Sequence, residues 1–283
     1  MVEKVVDGAA QQDAIDVSDA SKLLMPKERE LCTPSLLKFL RRHYAVLNLF
    51  FQTMELTRKA DELRAAAIRA LSLIKPGEFR KELENVEINP RPSQDRFEKF
   101  GALQLENINI RAVDNFLSYL SEIIQRAIRR QPKILMSEET VKVEDILRFS
   151  RYSDLISHLV DKRINSLSYS SMRDVEKFVR QRTGLSMFDT DQERTLLVLA
   201  IELRNIYTHN RGLVSETTMR KLSGLDHKWD LRKDKWFSTD FDEMALLANN
   251  LIVIAQRIDI SFSKKFSIKR KRCEIYDSSV DFY

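Results

Sequence analysis

Between residues 103 and 130 the apolar side chains Val113, Phe116, Leu117, Leu120, Ile123, Ile124, Ala127 and Ile128 recur at steps of three and four. That spacing gathers them onto one stripe of a helix. It has no strand counterpart, because strand side chains alternate every second residue. A helix so patterned has to bury its stripe against other helices. The spacing returns over 35–74, where Leu36, Leu37, Leu40, Leu47, Phe50, Phe51, Met54, Leu63, Ile68 and Leu71 predict one long helix, or two interrupted near 57–61. It returns again over 143–149, 153–167, 172–182, 191–209 and 239–258. Six Gly and six Pro in 283 residues are too few for a sandwich, a barrel or a Gly-rich phosphate loop. The expected fold class is all-α, a bundle of about four or five main helices over 97–262 with a helical region before it.

Local signals divide the chain. Thr33-Pro34 reads as an N-cap with Pro at the first helical position, and Lys75-Pro76-Gly77 as a stop. The stretch 87–94, with Pro90 and Pro92, reads as a linker. Gln131-Pro132 and Gly184 end two further helices, and Thr190-Asp191-Gln192-Glu193 fits a capping box. Residues 215–238 read as a polar loop holding His227, Trp229 and Trp236. The resulting division is a flexible segment over 1–32, a helical extension and linker over 33–96, a helical bundle over 97–262 and a basic tail over 263–283.

Cys32 and Cys273 lie near opposite ends of the chain, so no disulfide framework is implied, and no Cys/His cluster has metal-ligand spacing. No metal and no cofactor are expected. Without an apolar leader or a long uninterrupted apolar run, the expected location is the cytoplasm, with no membrane partner. The net charge of +5 is mild, yet six cations fall in the nine positions from Lys264 to Arg272. Such a run either contacts phosphates or is a solvated tail.

The helix over 191–209 is the informative one. Leu196, Leu199, Ala200, Leu203, Ile206 and Tyr207 fall on one arc, the expected core face. Leu197 and Ile201 lie off that arc and lead into Arg204, Asn205, Thr208 and His209, where a surface helix would carry solvating Glu and Lys. Such a face predicts contact with another helix or another subunit, with a polar site at its edge. Asn205 and His209 share a stripe with Glu202, but Arg204 and His209 are about 140° apart on an ideal helix. They meet only if the arginine reaches round or the last turn distorts toward Gly212.

The segment Leu203-Arg204-Asn205-Ile206-Tyr207-Thr208-His209-Asn210-Arg211-Gly212-Leu213-Val214 resembles the Arg-Asn-x-x-x-His motif of HEPN domains, most closely the RiboL-PSP-like branch. The resemblance extends over roughly 97–262 and leaves 1–96 uncovered. It implies a HEPN-like helical bundle and a metal-independent endoribonuclease of the toxin or phage-defence type, acting as a homodimer with motifs facing one cleft. RNA is the implied partner, with an antitoxin or regulatory protein as a further one. Carried onto this chain, Arg204 would clamp the phosphate, His209 would move protons and Asn205 would orient the site. Other readings of the same residues stay open. His209 could serve only the helix dipole, Arg204 could be a structural ion-pair partner, and Asn205 could brace a dimer seam. A catalytically silent binding or assembly module is the alternative function. His43, His158 and His227 are read as structural or surface residues, and Trp229 and Trp236 as loop packing with base stacking conceivable.

Overall fold

A computed structural model describes residues 31–75, 77–135, 143–168 and 171–273. The chain is all-α. In order, the elements are β1 (Leu31–Cys32), α1 (Pro34–Ile74), α2 (Arg80–Ile88), α3 (Pro92–Lys99), α4 (Gly101–Arg130), a 3₁₀ turn (Pro132–Leu135), α5 (Val143–Leu147) and α6 (Tyr152–Ser168). Then come α7 (Met172–Thr183), α8 (Asp191–Asn210), α9 (Glu216–Leu222), α10 (Phe241–Phe266) and β2 (Lys271–Arg272). The long α4, α6, α7, α8 and α10 are the expected main helices. Of the expected flexible segment 1–32, residues 1–30 lie outside the described residues, as do 274–283 of the expected tail.

Helix α4 is the axis of the bundle, with α1, α6, α8 and α10 packed around it. Its stripe is buried as the spacing requires: Val113, Phe116, Ile123 and Ile128 are inaccessible to water. Each such side chain contributes about 1.5–3 kcal/mol by leaving water. Helix α1 is continuous, without a break near 57–61, and starts as predicted, with the Thr33 hydroxyl accepting from the Leu36 N–H. Its first turns, through Leu47, lie in the same core as α4 and α10. Helix α10 is long and apolar enough to cross a membrane by length and composition, but 67% of that window is buried inside the bundle.

Four sequence expectations change. The stretch 87–94 is no linker: Pro92 opens α3, and the Asp61 carboxylate on α1 accepts from the Ser93 and Gln94 N–H groups at the head of that helix. The prolines there mark a helix start, not a flexible joint. The polar loop 215–238 contains α9, capped by Ser215 accepting from the Thr218 N–H. The last helix runs on past Ile258 to Phe266. The segment 263–273 is built into the fold rather than trailing from it. Its first residues end α10, β2 pairs antiparallel with β1, and Arg270 donates to the Leu31 carbonyl. The Arg270 guanidinium lies 3.5 Å from buried Asp259, which also accepts from the Thr33 N–H at 3.1 Å and from the Thr33 hydroxyl. Cys32 and Cys273 are both buried beside this pairing.

Candidate functional site: a polar cluster at the end of α8

Helix α8 starts with the Thr190 hydroxyl accepting from the Glu193 N–H. The reciprocal half of the box is displaced by one residue, since the Glu193 carboxylate accepts from the Asp189 N–H at 2.8 Å. Burial pushes Glu193 up, but Arg257 at 2.7 Å and that amide outweigh it and hold the carboxyl below its usual range. Arg257 also reaches Asp189 and the Met187 carbonyl, tying α10 to the head of α8. The far end of α8 stays regular through Asn210. Arg211 is left-handed at φ 54, and its N–H and that of Gly212, the latter at 3.0 Å, both reach back to the Ile206 carbonyl and end the helix.

Gly212 has no substitute here. Its φ is +83, and a Cβ would lie 2.2 Å from the Trp236 indole nitrogen. The bridge between Leu213 and Trp236, with the Phe237 N–H donating to the Gly212 carbonyl, presses that indole onto the turn after α8. Trp236 remains half exposed at this end, whereas Trp229 packs on Phe237 and His227.

Every residue of the expected core arc of α8 is buried. Leu197, expected off that arc on a face that meets another helix or another subunit, is fully buried within the protomer. The reason is that α8 packs on both α4 and α10, so it needs two apolar sides. Ile201 is half-buried and lines a cleft. The contact inferred from Leu197 is therefore with another helix of the same chain.

Arg204, Asn205 and His209 come together. Arg204 Nη1 lies 3.2 Å from Asn205 Oδ1 and 3.3 Å from His209 Nε2. The helix does not distort to bring them together; the arginine spans the 140° by its length. A guanidinium has no acceptor, so Nε2 must offer its lone pair, which puts the ring proton on Nδ1. Arg204 Nε donates to Asp114 of α4 at 2.9 Å, which fixes the plane of the guanidinium. Nη2 makes no hydrogen bond among the described residues. Asn205 leans on the buried Glu202 carboxylate at 3.5 Å, which Lys221 of α9 holds at 2.7 Å. His209 and Thr208 are exposed.

Arg204, Asn205, Glu202 and Lys221 form one wall of a cleft of about 1420 Å³ between α4, α6, α7, α8 and α9. Its floor is apolar, including Leu120, Ile124, Ile164 and Val198, and Arg194 paired with Glu176 lies at another edge. His209 is not among the lining residues; it sits at the open end of α8, beyond Arg204. Sequence reasoning had Glu202 on the right stripe but missed Asp114 and Lys221. Asp114 is 90 positions from Arg204, and nothing in local spacing connects them. The other histidines stand apart: His43 is buried on α1, His158 packs on Phe149, and His227 packs on Trp229. Among the described residues no His, Cys, Asp and Glu side chains gather as a metal site.

Fold and site together define a class: an all-α helical bundle with an Arg/Asn/His cluster at the end of one core helix, beside an open cleft. No family model, curated protein or solved structure matches the chain.

Proposed function

We propose that the protein is a metal-independent endoribonuclease of HEPN type, a cytoplasmic toxin or phage-defence enzyme that cleaves RNA through its own 2′-hydroxyl. The observation that carries the reading is the single guanidinium that touches both Asn205 and His209 while Nη2 has no hydrogen-bond partner among the described residues. A phosphodiester held on Arg204 would lie next to His209. When the phosphodiester takes the place of the imidazole on Arg204 Nη1, His209 Nε2 is released to take the 2′-hydroxyl proton as that oxygen attacks phosphorus, and the P–O5′ bond breaks. The leaving 5′-oxygen takes a proton from the imidazolium or from water. Arg204 offsets the charge that develops on the phosphoryl oxygens, and Asn205 holds the guanidinium in place. The products are a 2′,3′-cyclic phosphate and a 5′-hydroxyl. The test incubates purified protein with tRNA, rRNA and mRNA in chelator, comparing wild type with His209→Ala and analysing the fragment ends. Cleavage of DNA at the same rate, or full activity of the variant, ends the reading.

One observation favours a second reading. Arg204 already has a carboxylate partner in Asp114, as a structural arginine would. A catalytically silent assembly module, recruiting a regulatory protein or RNA, follows if no RNA is cut under any condition.

A further inference from the structure

Beyond Leu47, α1 has one side covered, first by Phe241 of α10 on Phe50 and Phe51, and another bare. The covered side meets α2 and α3 through buried Asp61 and through Phe50, whose ring lies 5.5 Å from that of Phe97. On the bare side Leu49, Leu56 and Leu63 recur every seventh residue, and Ile74 closes the row, with exposures of 67, 67, 71 and 74%. The positions between them, at alternating steps of four and three, are Thr53, Ala60, Ala67 and Ala70, all exposed. This 3.5-residue apolar repeat is the pattern of a coiled-coil seam. It lies about 140° round the helix from the covered side. A third side carries the solvating charges, with Arg58 paired to Glu55 and Glu62. Contiguous apolar rows of this kind mark protein contacts.

We propose that this stripe pairs with the same stripe of a second copy of the chain, antiparallel about a two-fold axis passing between Asp61 and Glu62. In that register large side chains meet small ones in the central layers, and the two ends are closed by large pairs. Leu56 faces Ala67 of the second copy, Leu63 faces Ala60, Thr53 faces Ala70, and Leu49 meets Ile74 at both ends. Large and small side chains interlock through the four central layers. The paired helices overlap for about 39 Å at 1.5 Å per residue. With the rows flanking it, the stripe approaches the lower end of the ~20–30 residues a side of a stable interface.

A parallel pairing fails on two counts. It stacks Ala60, Ala67 and Ala70 on themselves, leaving layers underfilled. It also brings Lys59 of one chain beside Arg64 of the other on both edges. In the antiparallel register Lys59 lies beside Ala66 and Arg64 beside Thr57, with no like-charge contact. The proposal is independent of the ribonuclease reading, and its surface is distinct from the α8 face.

The test is sedimentation velocity of the full chain over a concentration series, beside a variant carrying Leu56→Glu and Leu63→Glu. Wild type is expected to be a dimer and the variant a monomer with unchanged helical circular dichroism, since both leucines are exposed in the protomer. For orientation, chains with Ala60→Cys are mixed with chains carrying Leu63→Cys and oxidised with a small-molecule disulfide. A cross-linked heterodimer is expected, with little product from either chain alone. A monomer at every concentration overturns the proposal. So does a dimer that survives both glutamates, which places the contact elsewhere. Cross-linking of Ala60→Cys to itself overturns it as well, because it reports a parallel pair.

Discussion

Two polar clusters in this chain each set an arginine against an aspartate and differ in where they sit. Asp259 is wholly buried, takes two hydrogen bonds from Thr33 and faces Arg270 at 3.5 Å, so it joins the two ends of the described chain to α10. Burial pushes its carboxyl up, with the Thr33 bonds and Arg270 pulling the other way without prevailing. The Arg204 cluster is partly open to water, and its arginine has a donor without a partner among the described residues. Desolvated groups that lose a partner lose stability, whereas exposed ones lose little. The first cluster is thus held by folding, and the second is one that folding alone does not require.

The largest expected effect tests the open cluster. His209→Ala should lower RNA cleavage by ~10²–10⁴-fold, the usual contribution of a positioned proton carrier. Its thermal midpoint should match wild type, because His209 is exposed. Arg204→Lys should also be clearly impaired, since an ammonium cannot bridge Asp114, Asn205 and the phosphate in one plane. A variant that loses activity only because it has lost stability erases the contrast.

Next in size is the buried cluster. Asp259→Ala leaves Arg270 beside an empty site and should cost about 3–5 kcal/mol in denaturant unfolding. Asp259→Asn keeps an acceptor for Thr33 and should lose much less, because the native carboxylate is itself poorly solvated. Equal losses for the two substitutions would show that charge, not desolvation, governs this clasp.

His43 extends the comparison to a buried group whose ring nitrogens find no hydrogen-bond partner among the described residues. Burial lowers its pKa from 6.5 to about 4. Between these values the unfolded chain binds a proton that the native state refuses, so stability rises with pH there. The contribution is complete above 6.5 and is lost as pH falls toward 4, about 3 kcal/mol in all. His43→Leu should flatten that limb of the stability–pH curve and leave stability at neutral pH equal or higher. An unchanged acid limb would mean that the ring is hydrated in solution.

How much of this was legible in the sequence follows from the range of each interaction. The spacing in α4 and the core arc of α8 were read correctly, because a helix fixes which side chains share a face. For Leu197 the choice between another helix and another subunit stayed open: periodicity gives the direction of a side chain but not how many helices surround it. The Arg204–His209 contact was left open for a related reason, since backbone geometry does not report the reach of a four-bond side chain. Asp114 and the pairing of β1 with β2 depend on residues far apart in sequence, and a single sequence carries no signal for them. Pro92 was legible but misread, because Pro marks both linkers and first helical turns.

The smallest effect concerns Asp61, which is buried like Asp259 but stands on the arm of α1 and binds amides instead of a cation. Its oxygens accept from the Ser93 N–H at 3.0 Å and the Gln94 N–H at 3.0 Å, so it caps α3 from outside that helix. Desolvation raises its pKa, but those amides more than offset it and leave the carboxyl below its ordinary 3.8. Stability from this group is therefore present above that value and lost as pH falls below it. Asp61→Ala removes the cap without stranding a charge, so the expected loss is that of an N-cap, about 1 kcal/mol. Hydrogen exchange at the Ser93 and Gln94 amides should accelerate, while the amides of α4 and α8 keep their protection. A loss as large as that of Asp259→Ala, or a global loss of protection, would show that the arm is as tightly coupled to the core as the clasp is.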